Sequence, residues 1–202
     1  MTLARFTGKG AAAKLAVALL FLARASAALA ADMEALEKKA VLCAACHGPH
    51  GISANPAIPS LAGQPKQFIT TQLVMFREGN RKDPQMSAIA ASLSNPDIND
   101  YGTYFTAQVP VSPASSSMDP ARVAASQQLT DKYHCVSCHG AALKGQQHIP
   151  RLAGQQAAYL AAQLRGFKAG TRFDMDGNMT SAAQPLTESD IALLSEYLAA
   201  LQ

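Results

Sequence analysis

The sequence predicts an all-α protein made of two similar lobes in tandem, and three observations support this fold class. Apolar residues recur at helical spacing, and no stretch alternates long enough to form a sheet. The segment 58–64 recurs at 149–155, which indicates an internal repeat. Each copy of the repeat also follows a C-x-x-C-H sequence.

Residues 1–30 predict an export signal, because a basic stretch, an apolar run at 15–23 and a small-residue cleavage site at 28–30 follow one another. The apolar run is shorter than the ~20 residues that span a bilayer. A retained membrane anchor is the alternative. Cleavage would remove four of the 17 Lys and Arg residues and none of the 14 Asp and Glu residues. The mature chain therefore has no basic excess that would indicate nucleic-acid binding.

The two C-x-x-C-H sequences, C-A-A-C-H at 43–47 and C-V-S-C-H at 135–139, are the attachment signature of c-type haem. Two thiols on one helical turn can form thioethers to one porphyrin, and the next residue is a histidine that can reach its iron. The sequence therefore predicts two covalently attached haem c groups. The attachment residues are Cys43, Cys46, Cys135 and Cys138, and the proximal iron ligands are His47 and His139.

Three other roles for the cysteines are less favoured. A disulfide inside a C-x-x-C pair links residues that are already close in sequence, so it constrains little of a fold. Zinc sites keep their two Cys pairs closer together in sequence. A thioredoxin-like redox pair needs a βαβ surround, and no strand is recognisable near either motif.

The repeat sets the domain organisation. I-P-S-L-A-G-Q at 58–64 matches I-P-R-L-A-G-Q at 149–155, and the offset of 91 becomes 93 after a two-residue insertion beyond Arg172. Residues 109–120 are rich in Pro and Ser and predict a linker. We therefore expect domains at 31–108 and 121–202.

Each lobe is expected to consist of helices joined by loops. Spaced apolar residues lead into Cys43, which places the first motif at a helix end. Pro65 suits the start of a helix that Gly79 ends. Two Ser/Thr-x-x-Asp sequences, at 94–97 and 187–190, predict capping boxes at the start of the last helix of each lobe.

A haem iron that shuttles electrons needs a second axial ligand, and methionine and histidine are the candidates. None of the remaining histidines, His50, His134 and His148, recurs at the repeat offset, which favours methionine. Met86 lies in a predicted loop of the first lobe, and Met175 and Met179 lie in the equivalent predicted loop of the second. Met86 is seven residues before Leu93, and Met179 is likewise seven before Leu186. This register favours Met179 over Met175.

Taken together, the two motifs, the two I-P-x-L-A-G-Q segments, the two methionines and the two terminal helices resemble the dihaem cytochrome c4 family. The resemblance implies two class I cytochrome c domains related by a pseudo-twofold, with haem edges facing each other. It implies one haem on Cys43 and Cys46 with ligands His47 and Met86. The other haem would be held by the residues Cys135, Cys138, His139 and Met179.

The resemblance also implies a periplasmic carrier, peripheral to the membrane, that passes electrons from a cytochrome bc-type complex or a dehydrogenase to a terminal oxidase. No nucleophile, acid–base pair or phosphate cradle suggests an enzyme. Two alternatives stay open: a permanent haem subunit of a periplasmic dehydrogenase, and a dihaem peroxidase, which needs an open site on one iron.

Overall fold

The computed structural model describes residues 32–110 and 118–202. The predicted export signal lies outside these residues, as does the middle of the predicted linker, residues 111–117. The described secondary structure is helical, with one isolated bridge between Gln146 and Ile149. In chain order the helices are α1 (32–47), α2 (Lys66–Arg77), α3 (Pro84–Ala90), α4 (Asn95–Thr106), α5 (Pro120–Lys132), α6 (Cys135–His139), α7 (Ala157–Lys168), α8 (Asn178–Ala183) and α9 (Glu188–Ala200).

Both predicted capping boxes are present. The Ser94 hydroxyl accepts the Asp97 N–H at 3.3 Å, and the Asp97 carboxylate accepts the Ser94 N–H at 2.9 Å. At the start of α9, Thr187 and Asp190 exchange the same two bonds at 3.1 and 2.9 Å. These bonds satisfy N–H groups that have no partner inside the helix, so they fix where α4 and α9 begin.

The predicted loops around the two methionines are wrong, because both contain short helices. Met86 lies in α3 and Met179 lies in α8. Asp83 followed by Pro84 starts α3, since the Asp83 carboxylate accepts backbone N–H groups of the first turn and proline suits the first helical position. Likewise, α5 begins at Pro120, the last residue of the predicted linker, with Asp119 as its N-cap.

We call the described residues 40–110 the first lobe and 118–202 the second lobe. The core of the first lobe lies where α2 packs on α4, and in the second lobe α7 packs on α9 in the same way. Helix α5 also packs on α9. Buried side chains on these faces are Ile69, Phe76, Ile98, Tyr101, Phe105, Leu160, Phe167, Ile191, Leu194 and Leu198.

The lobes contact each other through paired backbone hydrogen bonds. The Phe68 N–H donates to the Gln147 carbonyl at 3.1 Å, and the Tyr159 N–H donates to the Pro56 carbonyl at 3.1 Å. Each bond maps onto the other when 91 is added to or subtracted from the residue numbers, so the lobes are related by a pseudo-twofold. The all-α, two-lobe fold is confirmed, whereas the domain boundaries stay predictions. No helix in the described ranges is long and apolar enough to cross a membrane.

Candidate haem-binding site

Each C-x-x-C-H sequence ends a helix beside the same cavity. The first lies in the last turn of α1, and the second forms α6. All four cysteines are free thiols. Burial raises the pKa of Cys43 to about 11 and raises that of Cys135 as well. Neither C-x-x-C pair forms a disulfide in the structure.

The two motif histidines are buried and hydrogen-bonded alike. His47 is 7% exposed and His139 is 4% exposed. Burial lowers the pKa of both imidazoles, and the hydrogen bond that each makes to a backbone carbonyl opposes this. The His47 Nδ1–H donates to the Pro59 carbonyl at 2.8 Å, and the His139 Nδ1–H donates to the Pro150 carbonyl at 2.9 Å.

These bonds decide the tautomer. A carbonyl oxygen only accepts hydrogen bonds, so Nδ1 carries the proton and Nε2 keeps its lone pair. Neutral imidazole with a free Nε2 is the form that binds iron, and the Nδ1 hydrogen bond fixes the ring orientation. Both histidines therefore have the protonation state and the fixed ring orientation that suit a metal ligand.

A sharp turn after the first motif lets the chain return to His47. Gly48 has a φ of 75°, which favours glycine, and a Cβ there would lie 2.0 Å from the Ile52 carbonyl oxygen. The backbone then folds back through Pro49–Gly51, a 3₁₀ turn, toward Pro59. Gly140 has a φ of 81° at the same place in the second lobe.

Met86 and Met179 occupy equivalent positions. The Asp83 carboxylate accepts the Met86 N–H at 2.9 Å, and the Asp174 carboxylate accepts the Met179 N–H at 2.8 Å. Both methionines are half-buried and line the cavity. Met175 is 74% exposed. The two inserted residues thus lie between Asp174 and Met179, which agrees with the register expected for Met179, although its role as a ligand stays a prediction.

A polar cluster joins the lobes beside these residues. Arg81 donates to the Tyr159 hydroxyl at 3.1 Å and to the Gln163 side-chain carbonyl at 3.0 Å, and Arg172 donates to Gln163 as well. Removal from water and the charge of Arg81 lower the pKa of Arg172 to about 10. For Tyr159, burial alone raises the pKa, but Arg81 and Arg172 together lower it.

The residues that line the cavity suit a haem in each lobe. The cavity has a volume of about 720 Å³, and both motifs, both equivalent methionines and both arginines of the cluster line it. The Nε of Arg172 is buried without a hydrogen-bond partner. The two guanidiniums, of which that of Arg172 has an unpaired Nε–H, are suited to the carboxylates that a porphyrin carries. The donor set of thiols, neutral imidazole and thioether is the set that c-type haem requires.

No group of three or more His, Cys, Asp and Glu side chains is arranged to hold a metal ion within the described ranges. The remaining histidines, His50, His134 and His148, are exposed.

Sequence reasoning missed the roles of Pro59, Pro150, Gln64 and Gln155. The repeat itself contained the signal, because all four lie in the two I-P-x-L-A-G-Q segments. It also missed the role of Arg81 and Arg172, although their match within the repeat was visible.

Comparisons with known proteins agree with this geometry. The profile of the family described as Cytochrome c matches residues 123–202. Cytochrome c4 of Azotobacter vinelandii is 36% identical in an alignment 192 positions long, and the match covers 85% of this chain and 90% of that protein. A thiosulfate dehydrogenase electron acceptor of Thiomonas intermedia is 33% identical in an alignment 181 positions long, and the match covers 84% of this chain and 83% of that protein. Among solved structures, reduced recombinant cytochrome c4 from Pseudomonas stutzeri matches with a TM-score of 0.76 at 31% identity, covering 84% of this chain and 98% of that chain.

Proposed function

Since this chain belongs to the cytochrome c4 family, we propose that it transfers single electrons between redox proteins through its two c-type haems. Haems held by Cys43 and Cys46 and by Cys135 and Cys138 would supply one-electron redox chemistry. The observation that carries the proposal is the doubled site: each lobe brings a C-x-x-C pair, a buried neutral histidine and a half-buried methionine to one cavity.

The proposed iron ligands are His47 and Met86 in the first lobe and His139 and Met179 in the second. An imidazole held by its Nδ1 hydrogen bond and a methionine held at a helix start change little in position when the iron changes charge. Small reorganisation suits a carrier. Methionine sulfur favours the reduced iron, so we expect both potentials to be high.

Saturated coordination favours a carrier over a dihaem peroxidase. A peroxidase needs one iron with an open or displaceable position, whereas both lobes place a methionine at the start of an equivalent helix. Tight axial binding in both lobes would exclude peroxide and carbon monoxide from the irons.

We place the protein in the periplasm, exported through residues 1–30 and peripheral to the membrane. Support comes from the basic, apolar and small-residue pattern of this segment and from the family. The proposed donors are a cytochrome bc-type complex or a dehydrogenase, and the proposed acceptor is a terminal oxidase.

A second candidate function is a permanent haem subunit of a periplasmic dehydrogenase. The observation that favours it is the 33% identity to the thiosulfate dehydrogenase electron acceptor of Thiomonas intermedia. Both candidates use the same two haems and differ in whether the protein travels alone. Purification from the native periplasm separates them, because a subunit would co-purify with its dehydrogenase.

Intact mass after acid–acetone extraction tests the proposal. We expect a chain that starts near Ala31 and retains two haems. The reduced protein should bind carbon monoxide slowly at neutral pH. One haem, haem lost on extraction, or rapid carbon monoxide binding would overturn the carrier proposal.

A further inference from the structure

Each lobe inserts a buried glutamine side chain against the backbone of the other. Gln155 is 5% exposed and Gln64 is 3% exposed. The Gln155 amide donates to the Ser60 carbonyl at 2.8 Å and accepts the Ser60 N–H at 2.8 Å. Gln64 makes the same pair of bonds to Arg151, both at 2.9 Å.

The peptide group that Gln155 contacts is the one that holds His47. The Ser60 N–H and the Pro59 carbonyl belong to one peptide unit, and that carbonyl accepts the His47 Nδ1–H at 2.8 Å. A continuous chain of hydrogen bonds therefore runs from the Gln155 side-chain oxygen, through the Pro59–Ser60 peptide, to the His47 ring.

The reverse chain is also complete. The Gln64 oxygen accepts the Arg151 N–H, and the carbonyl of the same peptide unit, that of Pro150, accepts the His139 Nδ1–H at 2.9 Å. Each motif histidine is thus linked through one peptide to a glutamine of the other lobe.

Hydrogen bonds in such a chain polarise one another. When the glutamine oxygen accepts the peptide N–H, the carbonyl at the other end of that peptide becomes more negative and accepts more strongly from Nδ1–H. A stronger Nδ1 hydrogen bond makes the imidazole a more basic ligand. A more basic ligand stabilises the ferric state, which carries the higher charge.

We infer that Gln155 and Gln64 are positioning residues that tune the haem of the opposite lobe through these peptide relays. The inference rests on the proposed axial roles of His47 and His139. It makes docking of the lobes part of the redox centre, since separating them would break both relays. The tuning is crossed: Gln155 lies in the second lobe and acts on the first-lobe haem.

The test replaces one glutamine with methionine, which keeps an unbranched side chain and removes the amide. In Gln155→Met we expect the potential of the first-lobe haem to rise while that of the second-lobe haem stays unchanged. The expected change is about three-fold in the ferric-to-ferrous ratio at a fixed applied potential. Loss of a group that hydrogen-bonds a metal ligand directly changes metal affinity or activity by ~10-fold or more, and we expect a smaller effect here because Gln155 is one hydrogen bond further from His47. Gln64→Met should shift only the second-lobe haem.

Nuclear magnetic resonance of the reduced protein provides an independent readout. In Gln155→Met the His47 Nδ1–H resonance should move upfield and the Ser60 N–H should exchange faster with solvent, whereas the His139 proton should stay unchanged.

Gln156→Met is the matched control. Its side chain also crosses between the lobes, donating to the Ser53 carbonyl at 2.6 Å, and touches neither relay peptide. The Gln156 backbone N–H donates to the Gln155 side-chain oxygen at 3.0 Å, and the substitution keeps this N–H. We expect lower stability without a shift of either potential or either Nδ1 proton. Three results would overturn the relay but not the proposed function. They are unchanged potentials in Gln155→Met, a shift of only the second-lobe haem in Gln155→Met, and an equal shift of the first-lobe haem in Gln156→Met. A wild-type protein without two low-spin haems would overturn the relay and the proposed function together.

Discussion

In the first lobe, helix α1 continues unbroken into Cys43 and His47, whereas in the second lobe α5 ends at Lys132 and a separate helix carries the motif. His134, with a φ of 54°, stands between α5 and α6 in the left-handed region. The histidine-to-carbonyl bonds after the motif nevertheless differ by only 0.1 Å, at 2.8 and 2.9 Å. The backbone that leads into the motif differs between the lobes, whereas the hydrogen bond of the motif histidine does not.

The methionine segments differ in the same way. Two extra residues separate Asp174 from Met179 compared with Asp83 and Met86, yet the carboxylate-to-N–H distances are 2.8 and 2.9 Å. The insertion is absorbed by an exposed bend that includes Met175. Connecting segments on the surface tolerate changes in length because they bury little. The four predictions below test which differences between the lobes matter.

The largest effect is expected at the methionines. His/Met haems show a weak sulfur-to-iron band at about 700 nm in the oxidised state. Met86→Ala and Met179→Ala should each remove about half of this band and lower one potential by on the order of 0.1 V or more. Met175→Ala should leave the band intact. Loss of the band in Met175→Ala would show that the insertion follows the ligand and that the assumed register is wrong.

Tyr159 and its counterpart Phe68 differ by one hydroxyl, to which Arg81 donates at 3.1 Å. Tyr159→Phe should lower the free energy of unfolding by about 1–3 kcal/mol, because a guanidinium beside the cavity loses an acceptor. Unfolding in guanidinium chloride measures this change in the free energy of unfolding. Tyr197→Phe, in the same lobe, removes a hydroxyl without removing a bond to Arg81 and serves as the control. Equal losses in the two variants would contradict the proposed importance of the arginine contact.

The capping boxes should contribute equally to the two lobes, since their bond lengths are nearly the same. Ser94→Ala and Thr187→Ala should each cost about 1 kcal/mol of unfolding free energy. Exposed Ser92→Ala, which removes no N-cap, should stay within about 0.5 kcal/mol of the wild type. If only one of the two substitutions lowered the free energy of unfolding, the two capping boxes would not contribute equally.

Much of this structure was predictable from local sequence patterns. Short-range preferences predicted the capping boxes, a helix between Pro65 and Gly79, and a helix end at the first motif. The structure confirms all three, with this helix at Lys66–Arg77. The pairing of Met86 with Met179 followed from counting back from the last helix of each lobe. The pseudo-twofold relation that the family resemblance implied is confirmed by the reciprocal hydrogen bonds between the lobes.

Contacts between the lobes were not predictable in detail. Gln155 hydrogen-bonds to the backbone of Ser60. Any residue type has the same backbone groups, so the identity of residue 60 does not indicate this contact. The short helices α3 and α8 escaped notice because 7 and 6 residues are too few to show an apolar period. The break at His134 was signalled only by a histidine before the second motif, and histidine is one of several residues that tolerate positive φ.

The smallest effect compares Leu42 with His134, which occupy the same place before their motifs. Residue 42 is helical, whereas residue 134 has a φ of 54°. Glycine costs about 1 kcal/mol relative to alanine inside a helix, but it relieves strain of about 1–2 kcal/mol where the backbone is left-handed. Leu42→Gly should therefore be about 1 kcal/mol less stable than Leu42→Ala, while His134→Gly should be about 0.5 kcal/mol more stable than His134→Ala once the entropy of glycine is included. Comparing alanine with glycine at each site removes the contribution of the original side chain, and denaturation of the four variants gives both differences. If both differences had the same sign, residue 134 would be helical in solution and the two lobes would enter their motifs in the same way.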